Sequence, residues 1–325
     1  MKLVIMIPCL NEEATLSLVI SGIPKQIAGV DEIDILVIDD GSTDRTVAVA
    51  RKLGVRHFIR HAKNRGLALS LRDGIRGALD LGADILVLTD GDNQYPQERI
   101  PDLIRPILAG SADTVIADRQ VSTIEHFSPM KKFLQRFGTG ALNLAAGISI
   151  PDGASGFRAY SREAAAKLNL IGRFNFAMET TLQAAHKRLK IMTIPIKTNP
   201  KTRESRLFKS SGEHVRKSAA ALINAFIMYK PLMLFMTVGV MLLAAGLVPF
   251  AHYLYLSLTS PSYFGSDHSQ SLIAASALLT GSFISFILGV VANLIRINRV
   301  LMEDILEELH RGRPGGFVET VEDDR

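Results

Sequence analysis

Thr89-Asp90-Gly91-Asp92-Asn93-Gln94 follows directly on the apolar run Ile85 to Leu88. Two carboxylates at i and i+2, leaving a strand, can face one hard cation, and Gln94 adds another oxygen. Mg²⁺ is commonly held this way, by one or two carboxylates with water and substrate phosphates completing its octahedron. A second acidic cluster, Asp39-Asp40-Gly41-Ser42-Thr43-Asp44, ends the apolar Val37-Ile38. Capping of the next helix accounts for Ser42, Thr43 and Asp44, but not for Asp39 and Asp40. In dinucleotide folds a carboxylate at a strand end hydrogen-bonds a ribose. Neither Gly-x-Gly-x-x-Gly nor a Walker sequence occurs, so hydride transfer and P-loop phosphoryl transfer lack their signatures.

These clusters need elements that deliver them to one edge. Leu3 to Ile7, Ile33 to Ile38, Arg56 to Ile59, Ile85 to Leu88 and Thr114 to Ala117 read as strands, and Glu12 to Gln26, Ser42 to Leu53, Leu67 to Leu81 and Gln97 to Leu108 as helices. The alternation predicts an α/β domain with a mostly parallel sheet covered on both faces. Ligands in such sheets sit beyond the carboxyl ends of the strands, where Pro8 to Glu13, Asp39 to Asp44 and Asp90 to Gln94 all fall.

The chain has 325 residues, 47% hydrophobic and 21% charged, with a net charge of +5, which excludes disorder and is too mild to make nucleic acid a partner. One Cys excludes an intrachain disulfide framework and a cysteine zinc cluster. From Pro231 to Ile295 the only charged residue is Asp267. Leu232 to Leu258 and Ser271 to Ile295 each exceed the roughly 20 helical residues that cross a bilayer. The link between them has no Lys or Arg, while Lys217, Lys230, Arg296 and Arg299 flank the pair. The positive-inside rule then places both ends in the cytoplasm, and Lys2 to Leu10 is too short for a secretory leader. An integral membrane protein with a cytoplasmic N-terminal domain is expected. Pro129 to Ile150 and His214 to Tyr229 mix basic and apolar residues, as in helices lying on a membrane or packing on a core. Met302 to His310 reads as a short charged helix, and Gly312 to Arg325 as a disordered tail.

Ile7-Pro8-Cys9-Leu10-Asn11-Glu12-Glu13, Asp39-Asp40-Gly41-Ser42-Thr43-Asp44, Asn64-Arg65-Gly66, Asp90-Gly91-Asp92-Asn93-Gln94 and Ser155-Gly156-Phe157-Arg158, in that order, closely resemble glycosyltransferase family 2. Within it the chain resembles the polyprenyl-phosphate glycosyltransferases, the group of dolichyl-phosphate mannose and glucose synthases. The resemblance spans about residues 3 to 210. It implies a GT-A type domain over 1–210 and fits what the hydropathy and charge pattern places after it: a juxtamembrane amphipathic helix over 211–230, a two-helix transmembrane hairpin over 231–295 (about 232–258 and 271–295) and a cytoplasmic helix and tail over 296–325. Pro8, Asn11, Glu12 and Asp39 match nucleotide-contacting positions, with Asp40 beside them and Asp90 shared with the metal motif. Asp90, Asp92 and Gln94 match the motif for Mg²⁺ or Mn²⁺ and the donor diphosphate. Asp152 matches the acid that starts the acceptor-side motif, with Ser155 and Arg158 behind it; Ala154 stands where many relatives have Thr. Glu179 matches a further acidic position of second rank.

The resemblance implies an inverting transfer from a nucleotide sugar to a membrane polyprenyl phosphate, dolichyl or undecaprenyl. GDP-mannose, UDP-glucose and UDP-N-acetylhexosamine all fit as donors, and homo-oligomers are known among relatives. A lipid monophosphate is already anionic and needs positioning and charge compensation rather than a base. Arg119, Lys132, Arg136, Arg203 and Arg206 are the candidate cations, since guanidinium groups grip phosphate bidentately. Asp92, Asp152 and Arg206 are expected to carry the transfer. A processive polysaccharide synthase generally has Gln-x-x-Arg-Trp, and this chain has no Trp. A nucleotidyltransferase would show a Gly-rich loop near the N-terminus. A non-catalytic nucleotide-binding scaffold would not need the intact Asp90, Asp92, Gln94 and Asp152.

Overall fold

The computed structural model describes residues 1–123, 129–168, 176–200, 227, 230–259, 269–311 and 318–320. The chain divides into two compact units, one of Met1–Leu222 with Ile305–Arg325 and one of Ile223–Asp304.

In the first unit an eight-stranded sheet carries the site. The elements are β1 (Lys2–Cys9), α1 (Leu16–Gly22), β2 (Glu32–Asp39), α2 (Thr46–Lys52), β3 (His57–Arg60), α3 (Leu67–Asp80) and β4 (Ile85–Leu88). Then come α4 (Ile100–Leu108), β5 (Thr114–Asp118), α5 (Pro129–Ala146), β6 (Arg158–Ser161), α6 (Arg162–Lys167), α7 (Phe176–His186), β7 (Ile191–Pro195) and, near the C-terminus, β8 (Glu319–Thr320). The strand order is β7-β5-β6-β4-β1-β2-β3-β8. β1 pairs in parallel with β2 and β4, β2 with β3, and β5 with β7. β6 is wedged antiparallel between β4 and β5.

Why the central strands are apolar throughout follows from their two covered faces. Leu3, Ile5, Ile7 and Cys9 of β1 join one core with α1 and α4, through Leu16, Val19, Ile100, Leu103 and Ile104. The alternating Val4 and Met6 join a second core with Leu71, Ile75 and Ala78 of α3 and Ala164 and Ala165 of α6. A Cβ on Gly77 would lie 2.8 Å from Ile59 and 2.9 Å from Val318, so α3 rests directly on the sheet and on the chain preceding β8.

Several expectations need correction. The first helix begins at Leu16 rather than Glu12, because Thr15 and Leu16 amides cap back onto the Glu12 carbonyl and the Thr15 hydroxyl bonds the Gly91 carbonyl. The second begins at Thr46 rather than Ser42, because residues 42–44 turn over the end of β2. The tail is not wholly disordered: Phe58 and His57 pair with Glu319 and Thr320 in antiparallel register. β6 and β7 do not stand out in the hydropathy pattern. The expected helix over His214 to Tyr229 lies outside the described residues.

The second unit holds α8 (Pro231–Thr259) and most of α9 (Ser269–Arg311). Pro231–Thr259 and Gln270–Arg299 are long and apolar enough to cross a membrane and are mostly unburied, forming a candidate membrane hairpin. The charged helix expected over Met302 to His310 is the continuation of α9. Small residues let the two helices approach: a Cβ on Gly239 would collide with Phe286, and one on Gly289 would lie 3.1 Å from Phe235. Ser282 and Ser285 donate across the pair to the Gly239 and Phe235 carbonyls, each at 2.8 Å. Such contacts are a main source of helix association where no hydrophobic driving force acts.

Candidate functional site

The carboxyl ends of β1, β2 and β4 deliver the three polar clusters to one edge of the sheet. Asn11, at φ 56°, turns the chain out of β1. Its amide donates to the Ser42 hydroxyl at 2.9 Å, and its side-chain oxygen accepts from the Thr43 amide at 2.8 Å. The Glu12 amide donates to the Thr46 hydroxyl at 2.8 Å. Thr15 donates toward both Glu12 and the Gly91 carbonyl, so the β1 turn is fastened to the turns after β2 and β4. Pro8 lies in the same place, its carbonyl 3.4 Å from where a Gly91 Cβ would be. Burial lifts the Cys9 thiol well above its ordinary range, which suits a packed residue rather than a nucleophile.

Asp39 and Asp40 have different surroundings. Asp39 accepts from the Ser42 amide at 2.9 Å and has Arg60 at 3.8 Å. Asp40 accepts from His61 Nδ1 at 2.8 Å, the Arg65 amide at 2.8 Å and the Gly66 amide at 2.9 Å. Asp40 therefore binds the loop between β3 and α3, where Asn64-Arg65-Gly66 lies, in addition to any nucleotide contact.

At the end of β4, Asp92 accepts from the Gln94 amide at 3.1 Å, and Asn93 adopts φ 59°. Asn199, which sequence reading missed, holds this turn. Its side chain donates to the Asn93 carbonyl at 3.0 Å and its amide to the Gln94 carbonyl at 2.9 Å. Nothing in the local sequence around Asn199 signals that contact. Among the described residues no three His, Cys, Asp or Glu side chains converge on a point. The donor set nonetheless fits a hard divalent cation, because Asp90 and Asp92 supply two carboxylates and a bound diphosphate would supply further oxygens.

The segment from Asp152 to Arg158 meets the turn after β4 at Gly156. Its amide donates to the Tyr95 hydroxyl at 2.8 Å, and a Cβ there would lie 3.2 Å from an Asp90 carboxylate oxygen. Tyr95 also stacks on Phe157, with ring centroids 5.2 Å apart. Burial pushes the Tyr95 phenol up to about 12, so it stays neutral.

Asp152 and Arg119 form a buried, two-toothed ion pair, with Nε to Oδ2 at 2.6 Å and Nη2 to Oδ1 at 2.9 Å. Burial alone would raise the Asp152 carboxyl, but the guanidinium overrides it and holds the carboxyl below the usual range. The neighbouring Tyr95 and Asp152 raise the Arg119 guanidinium in turn, against its own burial.

Arg158 departs from the expected phosphate contact. It is 0% exposed, and its donors reach the Ser155 and Gly153 carbonyls and the Thr180 and Thr181 hydroxyls at 2.7 to 3.0 Å. It braces the 153–155 loop against α7. Ser155 is buried, and its hydroxyl has no hydrogen-bond partner among the described residues. Glu179 is buried on α7 rather than solvated. Lys132 on α5 donates to the Ser122 carbonyl at 2.9 Å. Arg136 lies on the exposed side of α5, near the stacked and exposed Phe133 and Phe137. Arg203 and Arg206 lie outside the described residues.

A sequence profile described as "Glycosyl transferase family 2" matches residues 4–168. A UDP-N-acetylglucosamine–dolichyl-phosphate N-acetylglucosaminyltransferase of Methanococcus voltae is 27% identical over 215 residues, covering 60% of this chain and 84% of the relative. A dolichol-phosphate mannosyltransferase of Pyrococcus furiosus is 32% identical over 204 residues, 60% of this chain and 56% of that longer protein. Among solved structures, glucosyl-3-phosphoglycerate synthase from Mycobacterium tuberculosis, in complex with Mn²⁺, UDP-glucose and phosphoglyceric acid, superposes with a TM-score of 0.53. It is 26% identical and covers 69% of this chain and 79% of its own.

Proposed function

We propose, from the premise that the chain belongs to glycosyl transferase family 2, that this glycosyltransferase moves a sugar with inversion from a nucleoside diphosphate to a membrane polyprenyl phosphate. The observation that carries the acceptor half of the reading is the Arg119–Asp152 pair. The acid that opens the acceptor motif is ionised and fully engaged by a guanidinium, so it is a poor proton acceptor. An alcohol acceptor needs a base in such a transfer, whereas a phosphate brings its own negative charge. The names of the archaeal relatives, both acting on dolichyl or dolichol phosphate, agree with that chemistry.

In this reading Asn11, Glu12 and Asp39 line the nucleotide edge, and Asp90 and Asp92 would hold Mg²⁺ or Mn²⁺ for the donor diphosphate. The cation, when bound, offsets charge growing on the departing nucleoside diphosphate. Gly156, packed on Asp90, brings the acceptor loop beside the donor phosphates without a side chain between them. Arg119, Arg136, Arg203 and Arg206 are the cations proposed to compensate the acceptor phosphate, with Asp152 fixing the orientation of Arg119. Arg158 and Ser155 shape the loop. α8 and α9 are proposed to cross the membrane with both ends in the cytoplasm, keeping the catalytic unit beside its lipid.

The test uses the full chain in detergent with Mg²⁺ or Mn²⁺, polyprenyl phosphate and labelled GDP-mannose, UDP-glucose and UDP-N-acetylglucosamine. Label from one donor is expected in the organic phase. Metal-dependent donor hydrolysis with no lipid product from any donor would replace the acceptor assignment; neither turnover nor nucleotide binding would overturn the whole reading.

A further inference from the structure

Resting on the donor half of that reading, we infer that His61 is a positioning residue that fixes the 61–66 loop against the nucleotide edge and thereby sets donor affinity. The loop joins β3 to α3 and runs over the turn that follows Asp39 and Asp40. How closely it lies there is clear at Gly41: a Cβ on this left-handed glycine would be 2.7 Å from the Lys63 carbonyl carbon and 2.8 Å from the Asn64 amide.

The His61 side chain is 4% exposed, with Nδ1 2.8 Å from Asp40 and Nε2 3.3 Å from the Asp73 carboxylate of α3. Asp40 also holds the Arg65 and Gly66 amides. The Arg65 side chain reaches Asp73 at 3.0 Å. Asp40, His61, Asp73 and Arg65 therefore stand in a ring around the loop, hydrogen-bonded except at His61 Nε2, which only approaches Asp73. Among the described residues Arg72 also reaches Asp73, at 3.3 Å.

Two largely buried carboxylates facing one another are costly unless a donor lies between them. The imidazole stands between them, hydrogen-bonded to Asp40 through Nδ1 and set against Asp73 at Nε2 without a hydrogen bond; apolar packing would serve stability as well. What the ring adds is a fixed height of Asn64 and Arg65 above the Asp39–Asp40 turn. His61 hydrogen-bonds to Asp40 and faces Asp73, not Asp90 or Asp92. The ring acts on the nucleotide's seat and leaves the transfer step to other groups.

Titration calorimetry with UDP and with GDP in the presence of Mn²⁺, together with steady-state kinetics on the full chain, tests this. His61→Ala is expected to weaken nucleoside diphosphate binding and raise the donor KM by about tenfold or more, the effect of losing a charge-assisted hydrogen bond. Its kcat should stay within about twofold by the same reasoning, since no group at the transferring bond is moved. His61→Asn, which returns a donor to Asp40, should recover most of the affinity. Asp73→Asn should show the same split, more weakly, and serves if His61→Ala does not fold.

Unchanged nucleotide affinity in both His61→Ala and Asp73→Asn, with wild-type binding intact, overturns the inference alone. A fall in kcat at constant KM also overturns it. Wild-type protein that binds neither UDP nor GDP removes the donor reading and this inference together.

Discussion

Arg119 grips Asp152 with both arms of its guanidinium, at 2.6 and 2.9 Å, where neither side chain is much exposed to water. An unfolded aspartate titrates near about 3.9, and folded Asp152 titrates lower. The pair's contribution to stability is therefore complete above that unfolded value and fades as pH falls through the folded one. The stability difference between wild type and Asp152→Asn, followed by circular dichroism, should be constant from neutral pH to about 5 and shrink below about 4. Arg119→Met should cost about 3–5 kcal/mol at neutral pH, because it leaves a buried carboxylate alone. Arg119→Lys cannot reproduce the fork and should keep the fold while losing most transfer.

Asp92→Ala is expected to abolish metal-dependent transfer while leaving the far-ultraviolet circular dichroism and detergent extraction unchanged. The prediction rests on the scarcity of ligands: with two carboxylates available, losing one leaves too few protein oxygens to hold the cation. Full activity of this variant without divalent metal would contradict it.

Tyr95→Phe removes a single oxygen, the acceptor of the Gly156 amide. A buried amide left unpaired costs about 1–3 kcal/mol. The acceptor loop should loosen relative to the metal turn, lowering kcat with the lipid acceptor more than it changes nucleotide affinity. Because burial pushes the phenol up to about 12, no step from it is expected in the pH–rate profile between pH 6 and about 9.

In the hairpin, Gly239→Val drives a branched side chain into the Phe286 ring and should separate α8 from α9, read as loss of a cysteine crosslink engineered between them. Ser282→Ala removes one interhelical hydrogen bond and should cost only about 0.6 kcal/mol. A larger effect from Ser282→Ala than from Gly239→Val would show that hydrogen bonding rather than close packing holds the pair.

What could be read in advance was set by local chemistry. Asp90 and Asp92 stand out because Ile85 to Leu88 must be a strand buried on both faces, and the helices α3 and α4 follow their apolar spacing. Other features depend on partners distant in sequence. Arg158 reads as an exposed cation until Thr180 and Thr181 of α7 are seen to receive it. Asn199 acquires its role only from the Asn93 and Gln94 carbonyls. β6 opens on a charged residue after Ser155-Gly156-Phe157, with no alternation to mark it, and its place between β4 and β5 is a matter of topology. The first helix starts later than its apolar spacing suggests because the Glu12 carbonyl takes the Thr15 and Leu16 amides and the Thr15 hydroxyl reaches Gly91, a partner distant in sequence.

β8 gives the catalytic unit a discontinuous sequence: the chain leaves it near Leu222, forms the hairpin unit, and returns from Ile305 onward. A soluble fragment made by stopping before the hairpin would discard Val318, Glu319 and Thr320. It would strip the cover from Ile59 and Gly77, break the Arg51–Glu319 ion pair and leave the outer backbone of β3 open. An uncovered strand edge is a template for intermolecular pairing. A fragment that keeps this edge covered has the last segment spliced back across the excised hairpin, so that the missing strand arrives with the domain it completes.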